Sequence, residues 1–250
     1  MPDSATLEPI DRIILPLDGM NEVEALGMVD TMRAIGITQF KVGKSLINRG
    51  AGGAVARDII ASDGDVFWDN KDRDIANTME DAAIAANELG VKMFNVFADA
   101  GVEKMKRVKG VEGSALALAV TVLTDMDDDD CRSVYHAPVR ATVLKLATWA
   151  EIAGLDGIIC SAADLEDLCK HRVCRQMLKV CPGIRPKWAA ANDQKRITTP
   201  GEAILAGADY LVIGRPITKP PAGIDSPTGA VKLIVEEIRV ALGLAATEEA

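Results

Sequence analysis

DVFWDNKDRDIANTMEDAAIAANELG, residues 65–90, contains one complete repeat of the fold. Val66, Phe67 and Trp68 open it as a buried strand. Asp69, Lys71, Asp72, Arg73 and Asp74 then follow within six residues. From Ile75 the chain turns Ala-rich with helical spacing and stops at Gly90, a residue suited to ending a helix. Strand, charged turn and helix together make a βα unit.

The same alternation runs outward in both directions. Strand-like stretches occur at 12–18 (RIILPLD), 39–43 (QFKVG), 91–98 (VKMFNVFA), 115–124 (ALALAVTVLT), 156–162 (DGIICSA), 177–183 (MLKVCPG) and 209–216 (DYLVIGRP). Helical patterns lie between them: 22–36, a stretch up to about Ser62, 103–110, 138–154, 164–172, Thr199 to Gly207, and Pro227 to Leu242. The helix at 138–154 starts with Pro138 and ends with Gly154, the usual asymmetry of helix ends. Strands that are apolar throughout imply a parallel sheet covered by helices on its outer face. Eight such units in 250 residues predict an α/β protein of the (β/α)₈ TIM-barrel type, a single domain over 1–250. A doubly wound dinucleotide fold would carry a GxGxxG turn, and the chain has none.

Bulk properties narrow the function. A net charge of −9 gives no support to nucleic-acid binding. No apolar run is long enough to span a membrane, and the first residues lack the pattern of a signal peptide, so a cytoplasmic protein is expected. The five cysteines are irregularly spaced and read as free thiols, with no C-x-x-C to support a zinc site among Cys169, His171, Cys174 and Cys181. The acidic run at 125–130 lacks the glycine and terminal glutamate of an EF-hand and reads as a solvated loop.

A barrel places its chemistry at the C-terminal ends of its strands. There stand Asp18, Lys41, Asp69 with Lys71, Asp125, Ser161, the PGIRP loop from Pro182, and GRP from Gly214. Residues two apart on a strand face the same side, which points Asp69 and Lys71 into one cavity. An ammonium flanked by carboxylates is held in its charged form and is suited to delivering a proton rather than acting as a nucleophile. Gly214 and Arg215, at the end of the eighth strand, fit a phosphate. PGIRP and the polar stretch to DQKR (193–196) read as a mobile lid.

These motifs together resemble the orotidine 5'-monophosphate decarboxylase family. The resemblance runs from ILPLD at 14 through KVG at 41–43, D-x-K-x-x-D-I-x-N-T at 69–78, VTVLT at 120–124, CSA at 160–162, PGIRP at 182–186 and DQKR at 193–196 to GADYLVIGRPIT at 207–218. It implies cofactor-independent decarboxylation of orotidine 5'-monophosphate to uridine 5'-monophosphate, with no metal. By the same resemblance Lys71 is the acid for C6 of the pyrimidine and Asp69 sits against the departing carboxylate. Lys41 and Asp74 complete the charged chain. Asp18 would hold the ribose, and Gln194 and Arg215 the phosphate, with Pro182 and Gly214 in the same binding region. A homodimer with shared sites is implied, Asp74, Ile75 and Thr78 entering the partner's site.

Several positions depart from the family pattern. Ala76 replaces a proline, Phe97 a histidine and Asp99 a serine, and Asp125 stands where a serine contacts the pyrimidine edge. An ionised aspartate only accepts hydrogen bonds, so Asp125 points away, is protonated, or alters substrate binding. Two other readings remain. Sugar-phosphate decarboxylases and hexulose-phosphate synthases share D-x-K-x-x-D but use magnesium with a glutamate at the position of Lys41. A non-catalytic nucleotide-binding descendant would keep the fold without turnover.

Overall fold

A computed structural model describes residues 7–171, 176–189 and 198–244. The elements run β1 (Ile13–Pro16), α1 (Glu22–Arg33), β2 (Gln39–Gly43), α2 (Lys44–Asn48), α3 (Gly52–Ala61), β3 (Asp65–Asp72), α4 (Ala76–Leu89), β4 (Met93–Phe97) and α5 (Val102–Lys109). They continue with β5 (Leu116–Val120), α6 (Asp128–Tyr135), α7 (Val139–Ala153), β6 (Gly157–Ile159), α8 (Leu165–Lys170), β7 (Leu178–Cys181), α9 (Pro200–Leu205), β8 (Tyr210–Val212), α10 (Arg215–Thr218) and α11 (Pro227–Ala241). Each strand pairs in parallel with the next, and β8 closes on β1. This is the (β/α)₈ barrel that the alternating pattern predicts.

Strand alternation produces two cores. Outward residues such as Leu15, Phe40, Val42, Val66, Phe94 and Val96 pack beneath the helices. Inward residues Ile14, Phe67, Met93, Leu118, Val120, Leu178, Val180 and Tyr210 fill the barrel. With its interior packed, the barrel leaves space only at its ends. Ion pairs Asp65–Lys92 (2.5 Å) and Lys179–Asp209 (3.0 Å) lie at the N-terminal ends of the strands, away from the opposite rim.

Two local readings change. The acidic run does not stay a loop: Asp128–Asp130 begin α6. Asp127 caps it by accepting from the backbone N–H of Asp129 (3.1 Å) and Asp130 (2.9 Å), and Asp130 reciprocates to the N–H of Asp127. Carboxylates at a helix N-terminus are favoured by the cap geometry and the helix dipole, a gain that a reading based on net charge overlooks. The helical stretch before Ser62 divides into α2 and α3, broken by Gly50 at φ +79°. Among the described residues, no helix is long and apolar enough to cross a membrane.

Candidate active site

The C-terminal ends of the strands surround a cavity of about 430 Å³, within the size range of small-molecule sites. Pro16 ends β1 and Asp18 follows it, Lys41 comes from β2, Phe67, Asp69 and Lys71 from β3, and Val122 to Thr124 follow β5. Pro182, Gly183 and Arg185 come from the segment after β7, and Gly214, Arg215 and Thr218 from β8–α10.

Its centre is a chain of alternating charges. Lys41 Nζ lies 2.7 Å from Asp18 Oδ2 and 2.7 Å from Asp69 Oδ2. Lys71 Nζ lies 2.5 Å from Asp69 Oδ1. Asp69 is 4% exposed. Burial alone would raise its pKa, but the Lys41 and Lys71 ammoniums outweigh that and hold the carboxyl well below the usual carboxylate range. Burial likewise works against the charge on Lys41, and the carboxylates of Asp69 and Asp18 more than compensate, leaving its pKa above the ordinary lysine value.

The sequence places these groups by simple rules. Lys41 projects inward because Phe40 and Val42 on either side face the helices. Gly43, the last residue of β2, has ordinary extended backbone with φ −99°. Its value is the missing side chain, since a Cβ there would collide with the Asp18 carboxylate and approach Lys41 Nζ to 3.0 Å. On β3 the register shifts between Trp68 and Asp72, and Lys71 takes φ +56°. The strand is thus bulged where the lysine enters the cavity, although the alternation survives: Phe67, Asp69 and Lys71 line the cavity while Trp68, Asn70 and Asp72 line an outer groove.

The other expected residues separate into groups. Pro182, Gly214 and Arg215 join the cavity lining, Arg215 as the first residue of α10 rather than a strand end. Asp74, Ile75 and Thr78 are exposed and do not line the cavity. Asp125 is also exposed and outside the lining, directly after the lining residue Thr124. Gln194 and the DQKR stretch lie outside the described residues, as does Cys174. Ser161 has a structural task, its Oγ accepting from the N–H of Ala163 at 3.3 Å.

Two residues of the site, one lining the cavity and one behind it, were not singled out from the sequence. Arg185 is only 7% exposed and lines the cavity with Arg215; its place within PGIRP was the available signal. Asn95 is fully buried and touches both Asp69 and Lys71. Its signal was the lone polar residue inside the apolar strand MFNVF. Among the described residues, no group of three or more His, Cys, Asp or Glu side chains could hold a metal ion.

Residues 11–223 match the model of the Orotidine 5'-phosphate decarboxylase / HUMPS family. The chain is 40% identical over 237 residues to orotidine 5'-phosphate decarboxylase of Geobacter sulfurreducens, covering 91% of this chain and 96% of that protein. It is 41% identical over 247 residues to the enzyme of the same name from Syntrophotalea carbinolica, covering 94% and 98%. The crystal structure of orotidine 5'-phosphate decarboxylase from Lactobacillus acidophilus superposes with a TM-score of 0.77 at 30% identity, over 91% of this chain and 99% of that one. With family model, relatives and fold in agreement over nearly the whole chain, this protein belongs to the orotidine 5'-phosphate decarboxylase / HUMPS family.

Proposed function

We propose that the protein, acting as one barrel domain, decarboxylates orotidine 5'-monophosphate to uridine 5'-monophosphate without a cofactor. The observation that carries this reading is the charge chain Asp18–Lys41–Asp69–Lys71, which lines the same cavity as two guanidiniums, Arg185 and Arg215. Arginine suits a phosphate because its planar fork can bind two oxygens at once.

The bond from C6 to the carboxylate breaks, carbon dioxide leaves, and the electron pair stays on C6. The Lys71 ammonium gives its proton to that carbon and regains one from solvent after product release. Asp69 keeps the ammonium in place before the reaction, and its own negative charge disfavours the substrate carboxylate more than the product. Stabilisation comes from a fixed charge aimed at the developing carbanion in a site with restricted water. Phosphate binding at the arginines holds the pyrimidine in register, so that remote binding energy serves the reacting carbon.

The magnesium-dependent reading meets an obstacle at Lys41. Its ammonium already bridges Asp18 and Asp69, the carboxylates a divalent ion would use. A cytoplasmic homodimer is part of the proposal. Ile75, an apolar residue 65% exposed beside exposed Asp74 and Thr78, is the kind of surface a second subunit would cover.

Incubation of the purified protein with orotidine 5'-monophosphate tests the reading. Loss of orotate absorbance with stoichiometric uridine 5'-monophosphate is the expected result. Binding without turnover would instead identify a nucleotide-binding descendant, and magnesium-dependent activity on a phosphorylated keto acid would identify the rival branch.

A further inference from the structure

Asn95 sits at the centre of β4 with no solvent exposure. Its neighbours Phe94 and Val96 belong to the core beneath the helices, so Asn95 projects into the barrel. Its Nδ2 donates to Asp69 Oδ1 at 2.6 Å, and its Oδ1 accepts the backbone N–H of Lys71 at 2.7 Å. The amide orientation is fixed by its partners, since an ionised carboxylate only accepts and a backbone N–H only donates.

Those two bonds fall at the least ordinary point of the strand. Lys71 has φ +56°, a conformation that costs a side-chain-bearing residue free energy and persists where the surroundings enforce it. Ladder pairing is interrupted there, between Trp68 and Asp72. The Lys71 N–H therefore relies on a side-chain acceptor, and Asn95 supplies it. The same amide holds the carboxylate oxygen that receives Lys71 Nζ at 2.5 Å. One planar group thus fixes both the backbone and the counter-ion of the lysine.

We infer that Asn95 is a positioning residue for Lys71, setting the bulge that aims the ammonium and the carboxylate orientation that restrains it. The inference rests on the decarboxylase reading of the site. Neither a carboxylate nor an alanine reproduces the role: the first lacks the donor and adds a charge beside Asp69, and the second lacks both bonds.

The test uses Asn95→Ala and the isosteric Asn95→Asp in the full chain, with steady-state kinetics on orotidine 5'-monophosphate and hydrogen exchange of peptides covering 69–76. Asn95→Ala is expected to lower kcat roughly 10- to 100-fold, the scale of losing hydrogen bonds to a charged group, with KM within about threefold. Exchange at 69–76 is expected to accelerate. Asn95→Asp preserves the shape of the side chain where Asn95→Ala leaves a cavity, and gives a pH signature. The charged groups facing residue 95 are Asp69 and Lys71 on β3, with Lys41 on β2 behind Asp69; β5 presents Leu118 alongside. A protonated Asp at position 95 can donate to Asp69 as the amide does, so its kcat relative to the parent should fall as pH rises and that proton is lost. Parent-like kcat, a loss confined to KM, or a flat pH ratio in Asn95→Asp would overturn the inference. A parent that turns over no orotidine 5'-monophosphate would defeat the functional reading, and exchange at 69–76 would then decide the role of Asn95: faster in the variants, it stands; unchanged, it falls.

Discussion

Asp69 Oδ1 and Lys71 Nζ stand 2.5 Å apart across a bulged strand end, while the other oxygen of Asp69 holds Lys41 at 2.7 Å. The carboxylate is therefore shared between two ammoniums, one anchored to β1 through Asp18 and one placed at the cavity. In the proposed mechanism, replacing Lys71 with alanine removes the proton donor and leaves Asp69 still paired with Lys41. Turnover should fall by at least about 10³-fold, within the range of general acid catalysis, with the melting temperature little changed. A variant retaining a tenth of the parent rate would remove Lys71 from the chemistry.

Asp69→Asn should be costly to stability as well as to turnover. It leaves Lys41 and Lys71 facing a neutral group in a buried site, a loss of about 3 kcal/mol. The sign of the pH dependence follows from the lowered pKa of Asp69. Its stabilisation is complete above the unfolded-state value of about 3.9 and is lost as pH falls below it toward the folded-state value. Denaturant unfolding should therefore show a constant gap between parent and variant from about pH 5 to 8 that narrows in acid. A gap that widens as pH falls would contradict the assignment.

Gly43→Ala tests the packing of the charge chain without touching any charged group. The backbone at Gly43 suits any residue, so the effect is steric: the new Cβ displaces Asp18 or Lys41. Overpacking of this kind costs about 1–3 kcal/mol, and kcat/KM should fall at least about tenfold. Normal activity in this variant would show that the Asp18–Lys41 contact is dispensable.

The departure at Asp99 is paired with Arg73 in the structure. Arg73 Nε pairs with Asp99 Oδ1 at 2.9 Å, and the Tyr135 hydroxyl donates to Asp99 Oδ2 at 3.2 Å. Burial first, and the Asp99 carboxylate second, push the Tyr135 hydroxyl up to about 12. Ultraviolet titration follows only two tyrosines in this chain. Asp99→Asn should bring one of them to lower pH, whereas an unchanged titration would break the link. The Arg73 side chain is 61% exposed, so the pair itself should contribute under about 1 kcal/mol.

Asp125 is exposed and away from the cavity lining. Asp125→Ser should leave kcat/KM within about threefold, the behaviour of a surface substitution. A gain of tenfold or more would show that Asp125 meets the substrate during turnover.

The barrel was legible because strands apolar throughout alternate with helical stretches, two of which stop at left-handed Gly90 and Gly154. The strand-end placement of Asp18, Lys41, Asp69 and Lys71 was legible, but their linkage was not: the expected chain ended in Asp74, where the structure has Asp18. Asn95 stood out as the lone polar residue of an apolar strand, but its role depends on a bulge in β3, which is a tertiary property of two strands. Helix α6 was hidden because four consecutive aspartates look repulsive until Asp127 and Asp130 are seen capping one another. Asp74, Ile75 and Thr78 are exposed on the single chain, and their part in a partner's site belongs to the proposed homodimer.

The most direct measurement is the initial rate of orotidine 5'-monophosphate decarboxylation by chelator-treated protein, with Lys71→Ala assayed beside it. The account predicts turnover that chelation does not reduce and that Lys71→Ala lowers by about 10³-fold or more. Absence of turnover in the parent, or a Lys71→Ala rate within tenfold of it, would contradict the account.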